Sequence, residues 1–177
     1  MNIALIGYRA TGKTTVARLL AERLAWSWVD ADVEIEQRAG KSIADIFADQ
    51  GEGVFRELEV QVTADLCGRS QNILAAGGGA PMREENRQAM RSAGPVVWLK
   101  ARPETIYHRM SGDETTAERR PNLTTSGGIG EIVELLGQRE PIYRDMADVE
   151  IDTEGKTPEQ VCCEILDRLS LTPDAEE

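Results

Sequence analysis

Histidine and cysteine are both scarce in this chain of 177 residues, which has one histidine and three cysteines. The single His108 excludes a metal site that needs several histidines. The cysteines stand at positions 67, 162 and 163, and an odd number with one adjacent pair is typical of neither a disulfide framework nor a zinc site. We therefore expect a reduced protein in which His108 and the cysteines have no catalytic role.

Basic residues and long apolar runs are lacking as well. The chain carries 20 Lys and Arg against 31 Asp and Glu, a formal net charge of −11, whereas a nucleic-acid-binding protein is expected to present a basic face. No apolar run approaches the ~20 residues that a membrane-spanning helix needs. Residues 1–7 run directly into a strand pattern without a basic leader. These features predict a cytoplasmic protein that binds neither nucleic acid nor a membrane.

Short apolar segments alternate with helical patterns along the chain. The five segments that we interpret as strands are 2–6, 28–30, 72–76, 95–99 and 148–152. Strands that are nearly all separated by helices favour a parallel sheet covered on both faces. The predicted fold class is therefore α/β, with a three-layer α/β/α arrangement around a five-stranded parallel sheet, in a single domain over residues 1–177.

Two stretches depart from this alternation. Residues 111–130 are polar and rich in Gly and Thr, and a loop of that length in a compact domain is usually functional or disordered. Residues 172–177 form an acidic tail that we expect to be flexible and frayed. Between the second and third strands, a short helix is predicted to end at Gly51. The tryptophans are interpreted as packing residues: Trp26, Trp28 and Trp98.

Residues 7–14 read Gly-Tyr-Arg-Ala-Thr-Gly-Lys-Thr and match the phosphate-loop motif G-x-x-x-x-G-K-[ST]. A strand pattern enters the motif and a helical pattern over residues 13–24 leaves it, which is the required context. The glycines allow backbone N–H groups to point at phosphate oxygens, and the helix N-terminus adds positive potential. Lys13 can then reach the β- and γ-phosphates, and the Thr14 hydroxyl can bind Mg²⁺ directly. A glycine-rich turn before an ordinary helix is the plainer alternative, and the context argues against it.

The loop therefore predicts a protein that binds a nucleoside triphosphate. The residues of this segment that are expected to contact ATP are Gly7, Ala10, Thr11, Gly12, Lys13, Thr14 and Thr15. Arg9, also inside the loop, faces either solvent or an acceptor pocket. The chain lacks the Asn-Lys-x-Asp segment of GTPases and is smaller than motor ATPases, so a small kinase remains.

Three further features indicate where an acceptor would bind. Asp30 and Asp32 end the second strand at i, i+2 spacing, which can direct one carboxylate at Mg²⁺-bound water and the other at a substrate hydroxyl. Arg56 and Glu59 lie one turn apart on one helix face. Residues 77–79 are glycines directly after a strand, at the sheet edge where ligands bind in open α/β sheets. The plainer interpretations are helix caps for the aspartates and a surface ion pair, worth ~0.5 kcal/mol, for Arg56 and Glu59.

In order and spacing these motifs resemble those of the shikimate kinase family, over about 140 residues. The shared segments are residues 7–15, Asp30-x-Asp32-x-x-Ile-Glu36, Ile46-Phe47, Gly51-Glu52, Phe55-Arg56-x-x-Glu59, the glycines 77–79, Arg120-Pro121 and Arg139-x-Pro141-x-Tyr143. The resemblance implies a nucleoside-monophosphate-kinase-like P-loop fold, with a substrate-binding region at about 31–60 and a lid at about 111–125. It implies that a monomer transfers the γ-phosphoryl group of ATP to the 3-hydroxyl of shikimate, with one Mg²⁺ ion bound together with ATP.

The resemblance also implies roles for single residues. Lys13, Asp32 and Arg120 are the expected catalytic residues: Asp32 contacts the acceptor hydroxyls and can take the proton, and Arg120 of the lid closes over the phosphates. Asp30 holds Mg²⁺ through water, and Arg109 lies near the adenine of ATP. Shikimate contacts are implied for Asp32, Arg56, Gly78, Gly79 and Arg139, with the two arginines binding the carboxylate.

Elementary chemistry agrees with this assignment, because phosphoryl transfer needs mainly positioning and charge neutralisation. Lysine accounts for only four of the 20 basic residues, and arginine pairs with carboxylates in a bidentate way. Another small-molecule kinase of the same fold, for gluconate or a nucleoside, is the nearer alternative, and it would not require arginines at both 56 and 139. A catalytically silent nucleotide-binding module is the farther one. Ala10 and Asn122 stand where glycine and leucine are common in the family.

Overall fold

The computed structural model describes residues 1–112 and 128–172, which form a sheet of five parallel strands. The strands are β1 (Ile3–Ile6), β2 (Ser27–Asp30), β3 (Asn72–Ala75), β4 (Val96–Lys100) and β5 (Val149–Asp152). Their spatial order is β2-β3-β1-β4-β5, so β1 is central and β2 and β5 are the edges. The predicted α/β class with a five-stranded parallel sheet is confirmed.

Helices cover both faces of this sheet. They are α1 (Lys13–Leu24), α2 (Ala31–Ala39), α3 (Ile43–Cys67), α4 (Glu84–Ala93), α5 (Pro103–Ser111), α6 (Gly128–Met146) and α7 (Pro158–Arg168). Within the described ranges, no helix combines the length and the apolar character that a membrane crossing requires.

Alternate residues of the central strand belong to two hydrophobic cores, one on each face of the sheet. Ile3 and Leu5 pack with α1 and α7, whereas Ala4 and Ile6 pack with α2, α3 and α6. This follows from the two-residue period of a strand, which sends successive side chains to opposite faces. Burying a large aliphatic side chain contributes ~1.5–3 kcal/mol to the stability of the fold. The packed helices therefore stabilise the sheet, and the carboxyl ends of its parallel strands lie together at one edge.

Helix α6 is absent from the elements that the sequence predicts, and Pro141 lies inside it. A proline in a helix interior removes a hydrogen-bond donor and costs ~3 kcal/mol. The buried side chains of α6, which include Ile132, Leu136 and Tyr143, offset this cost by packing against the rest of the protein. In α3 the predicted helix end at Gly51 is found as a local break, with φ 82° and ψ 171°, after which the helix resumes.

Two further expectations have different outcomes. Trp98 is buried and Trp26 packs against the core, as predicted, whereas Trp28 is 38% exposed because it lies on the edge strand β2. The predicted lid lies outside the described residues from position 113 onward, and Arg120 lies there with it. Residues 173–177 of the predicted tail also lie outside the described part of the chain.

Candidate functional site

The phosphate loop begins where β1 ends, and its backbone has φ values and close contacts that favour glycine. Gly7 has a φ of +141°, and a Cβ atom there would lie 2.5 Å from the carbonyl oxygen of Leu99 in β4. Ala10 and Gly12 also have left-handed φ values, of 61° and 94°, which explains why glycine suits position 10. Gly12 is the N-cap of α1, so the loop places the positive end of the helix dipole at the carboxyl edge of the sheet.

Side chains of the loop hold it closed on itself. The Thr11 hydroxyl donates to the carbonyl of Tyr8 at 2.8 Å. The Lys13 ammonium donates to the carbonyls of Gly7 and Tyr8, at 2.9 Å and 2.8 Å. Nζ of Lys13 therefore lies over the loop that the motif assigns to the phosphates of ATP.

Thr14 and Asp30 meet at the end of β2. The Thr14 hydroxyl donates to Oδ2 of Asp30 at 2.6 Å, while Oδ1 of Asp30 accepts the N–H groups of Asp32 and Val33 at 3.0 Å and 3.4 Å. Asp30 thus caps α2, as the plainer interpretation expected, and still presents its other oxygen to Thr14. Asp32 is half-buried in the first turn of α2 beside this pair, and Thr15 is exposed in the first turn of α1.

Arg56 on α3 is held by carboxylates and lies against the glycine turn. Its guanidinium donates to Glu52 at 3.1 Å and 3.2 Å and to Glu59 at 2.9 Å. Glu59 is 1% exposed, so the interpretation of this pair as a surface ion pair is wrong. Burial raises the pKa of the Glu59 carboxyl, and the nearby charges of Arg56 and Arg139 oppose that rise. A Cβ atom on Gly79 would lie 2.6 Å from Nη1 of Arg56, so glycine allows the guanidinium to rest on the backbone.

Gly78 brings the phosphate loop and α6 together. A Cβ atom there would lie 3.4 Å from both the Gly7 carbonyl oxygen and Nη1 of Arg139. The hydroxyl of Tyr143 on α6 donates to the carbonyl of Gly78 at 2.5 Å. Arg139 is 8% exposed, and its Cζ lies 5.5 Å from the centroid of the Tyr8 ring. The structure therefore gathers both predicted carboxylate-binding arginines, Arg56 and Arg139, at one glycine turn beside the loop.

Arg109 lies on the other side of the phosphate loop. Its Nη1 donates to the carbonyl of Ala10 at 3.3 Å and to the Thr153 hydroxyl at 3.4 Å. This contact brings the end of α5 and the segment after β5 next to the loop. Arg120, the remaining predicted site residue, lies outside the described residues.

Two of the cysteines have the properties of inert structural thiols. Burial raises the pKa of the Cys67 and Cys162 thiols to about 11. The thiolate is the reactive form of cysteine, so these groups are protonated and weakly nucleophilic at neutral pH. This agrees with the expectation that they take no part in the chemistry.

One contact of the site is missed by reasoning from the sequence. Arg9, which was expected to face either solvent or an acceptor pocket, donates from Nη2 to Oε1 of Glu131 at 2.6 Å, and the two side chains are only 10% and 1% exposed. The partners are 122 residues apart in the chain. The motif singles out Arg9, but no local pattern connects it with Glu131.

Comparison with known proteins agrees with this geometry. A family model described as shikimate kinase matches residues 9–170. A shikimate kinase from Rhodopirellula baltica is 42% identical over 165 residues, covering 93% of this chain and 88% of that protein. A shikimate kinase from Acinetobacter baumannii, solved in complex with shikimate, superposes with a TM-score of 0.89 at 36% identity and covers 96% of this chain and 92% of that one.

A gluconokinase from Sinorhizobium meliloti superposes with a TM-score of 0.57 at 14% identity, over 96% of this chain and 91% of that one, and this likeness concerns the fold alone. The shikimate kinase matches are of a different kind, because they combine high structural similarity with sequence identity over nearly the whole chain. The range matched by the family model, residues 9–170, includes Asp30, Asp32, Arg56 and Arg139. This chain belongs to the shikimate kinase family.

Proposed function

We propose that the protein transfers the γ-phosphoryl group of ATP to the 3-hydroxyl of shikimate, giving shikimate 3-phosphate and ADP. The observation that carries this proposal is the convergence of Arg56 and Arg139 on the Gly78–Gly79 turn, next to the phosphate loop. Two guanidinium groups in one half-buried place suit a small substrate with a carboxylate, since arginine binds carboxylates in a bidentate way. A substrate held there would lie within reach of the transferable phosphoryl group.

In this mechanism Lys13 and the start of α1 stabilise the charge on the phosphates. Phosphoryl transfer passes through a loose transition state, so catalysis comes mainly from positioning and electrostatic stabilisation. Asp32, in the first turn of α2, orients the acceptor hydroxyl and can accept its proton. Arg109 contacts the nucleotide from the far side of the loop, and Arg120 closes over the phosphates.

Arg56 and Arg139 orient the acceptor through its carboxylate. Glu52 and Glu59 restrain the Arg56 guanidinium from one side, and Gly79 supports it from another. A restrained guanidinium loses less conformational freedom when it binds a ligand, which favours precise placement of the substrate. The 3-hydroxyl is thereby directed toward the phosphate loop, and water has less access to the reacting phosphoryl group.

Thr14 and Asp30 are the residues that would hold one Mg²⁺ ion together with ATP. Their side-chain oxygens already lie 2.6 Å apart, and a hydroxyl and a carboxylate are the hard oxygen ligands that Mg²⁺ prefers. Thr14 would bind the ion directly and Asp30 through water. When bound, Mg²⁺ neutralises part of the charge that develops on the phosphate oxygens.

We also infer that the protein acts as a cytoplasmic monomer with a single domain. The proposed contacts to ATP and shikimate all come from one chain, and the two buried thiols fit a reducing environment. The substrate region at 31–60 and the lid at 111–125 are then the parts of this domain that enclose the substrates.

A coupled assay of ADP release across several acceptors tests the proposed activity. Purified protein is supplied with Mg²⁺, ATP and, in turn, shikimate, quinate, gluconate or a nucleoside. We expect kcat/KM for shikimate to exceed that for every other acceptor by at least about tenfold, because only the carboxylate of a matching ring uses both arginines. Faster turnover of gluconate or a nucleoside would identify another kinase of this fold. ATP binding without turnover of any acceptor would identify a silent nucleotide-binding protein.

Replacing Arg139 by lysine is expected to raise KM for shikimate about tenfold and to leave KM for ATP within about twofold. Lysine keeps the charge but loses the planar fork, and one charge-assisted hydrogen bond contributes ~1.5 kcal/mol. Steady-state kinetics with each substrate varied in turn measure the effect. Arg144→Lys is the matched control, since Arg144 lies on the same helix with its side chain 58% exposed. Equal changes in both KM values would remove the assigned role of Arg139.

A further inference from the structure

The buried ion pair between Arg9 and Glu131 joins the phosphate loop to α6. The 2.6 Å contact is a charge-assisted hydrogen bond between two side chains that are at least nine-tenths buried. At this burial the pair is screened far less by salt and water than a surface pair is. It therefore acts as a firm mechanical connection between the two elements.

The connection lies where the two proposed substrate sites meet. Arg9 belongs to the loop that binds the nucleotide, and a Cβ atom on Gly78 of the acceptor turn would lie 3.6 Å from its backbone nitrogen. Glu131 lies on α6, eight residues before Arg139, which is about 12 Å along the helix axis. A displacement of the loop is thus passed to the helix that carries one of the acceptor-binding arginines.

The Tyr8 ring forms a second link in the same place. Cζ of Arg9 and Cζ of Arg139 lie 5.7 Å and 5.5 Å from its centroid, both within the range of cation–π attraction. Tyr8 is 1% exposed and packs with Ile132 of α6. The loop, the ring and the helix are therefore joined by packing as well as by the ion pair.

One hydrogen-bond donor of the Arg9 guanidinium makes no hydrogen bond within the described residues. Its Nε is buried and has no hydrogen-bond partner within residues 1–112 and 128–172. A buried donor without a partner is unfavourable, so an adjustment of the loop that gave Nε a partner would be stabilised. The phosphates of the nucleotide are the ligand that the proposed function places against this loop.

We propose that the Arg9–Glu131 pair couples nucleotide binding to acceptor binding, with Arg9 as a positioning residue. The inference rests on the proposed function, since it takes ATP and shikimate as the two ligands. Binding of the phosphates fixes the position of the loop. Because the ion pair joins the loop to α6, the position of α6 is fixed as well, and Arg139 is held where it can bind the acceptor carboxylate. Coupling is reciprocal, so the acceptor strengthens nucleotide binding by the same factor.

Isothermal titration calorimetry of the full chain measures this factor as the ratio of the ADP dissociation constants without and with saturating shikimate. For the wild-type protein we expect a ratio of at least about 5. In the double variant Arg9→Met/Glu131→Leu the ratio should fall to about 1. Because both members of the pair are replaced, neither Arg9 nor Glu131 is left as a buried charge without the other, so this variant is expected to fold. Arg9→Lys, which keeps the charge, should recover part of the ratio.

Arg18→Met is the matched control, because Arg18 pairs with Glu22 on the exposed face of α1, where the side chains are 54% and 59% exposed. It should keep the wild-type ratio. Thermal unfolding checks that each variant is folded. If the double variant does not fold, the ratio is measured in Glu131→Gln, which preserves the shape of the side chain and removes its charge. A wild-type ratio of 1, or an unchanged ratio in the folded variants, would overturn the coupling. Shikimate turnover by the wild-type protein is measured first, and its absence would contradict the proposed function as well.

Discussion

Replacing Lys13 by methionine is expected to lower kcat for phosphoryl transfer by about 10³-fold or more. The ammonium group lies over the phosphate loop, within 3 Å of the carbonyls of Gly7 and Tyr8. The proposed mechanism places the charge of the transferred group beside it. Removing one preorganised charge-stabilising donor from an active site costs ~10²–10³-fold in kcat, and a full positive charge contributes more than a neutral donor. Methionine has a similar length and no charge, so the comparison isolates the electrostatic contribution. The coupled assay with saturating shikimate and ATP measures it.

Lys156→Met is the control for this experiment. Lys156 pairs with Glu164 on α7 and takes no part in the proposed site, so kcat should stay within about twofold of the wild-type value. Thermal unfolding of both variants separates a loss of chemistry from a loss of fold. Retention of more than about a tenth of the wild-type kcat by Lys13→Met would contradict the role assigned to Lys13.

Replacing Gly79 by alanine is expected to raise KM for shikimate by about 30- to 100-fold with a small effect on stability. The new Cβ atom would lie 2.6 Å and 2.9 Å from the two terminal nitrogens of Arg56, so the guanidinium must move away. These atoms are the far end of a flexible side chain, and the backbone therefore needs little rearrangement. A lost pair of charge-assisted hydrogen bonds to a carboxylate corresponds to ~2–3 kcal/mol, hence the expected change in KM.

Gly137→Ala tests whether any extra methyl group has this effect. Gly137 lies on α6, and a Cβ atom there would meet no other atom within 4 Å. Alanine in an exposed helix position is more favourable than glycine by ~0.5–1 kcal/mol, so this variant should unfold at a slightly higher temperature with unchanged KM. An unchanged KM for shikimate in Gly79→Ala would show that Arg56 does not contact the acceptor.

The phosphate loop and the strands could be predicted because their signals are local. The motif at residues 7–14 places glycines and Lys13 at set spacings, and the structure finds the loop between a strand and a helix as expected. The break at Gly51 was predictable for the same reason. Helix α6 was not, because Pro141 argues locally against a helix, whereas the decisive packing of Tyr143 involves residues distant in sequence.

The acceptor site shows the same division. The resemblance to a family implied that Arg56 and Arg139 bind the acceptor, but nothing in the sequence shows that the two guanidinium groups meet at one glycine turn. Trp28 is a smaller example, since its exposure depends on the edge position of β2 in the sheet. Strand order depends on how the chain connects one strand to the next across the sheet, and local sequence patterns do not contain that information.

By itself the sequence determined that this protein has a phosphate loop on an α/β fold, and which residue types were available for the chemistry. The tertiary structure decided which of them act together: Thr14 with Asp30, Arg56 with Gly79, and Arg9 with Glu131 across 122 residues. The physical reason is that helix and strand periodicity arises from neighbours in the chain. Buried ion pairs and close backbone contacts arise instead from packing of the whole molecule, which brings distant residues to the carboxyl edge of the sheet.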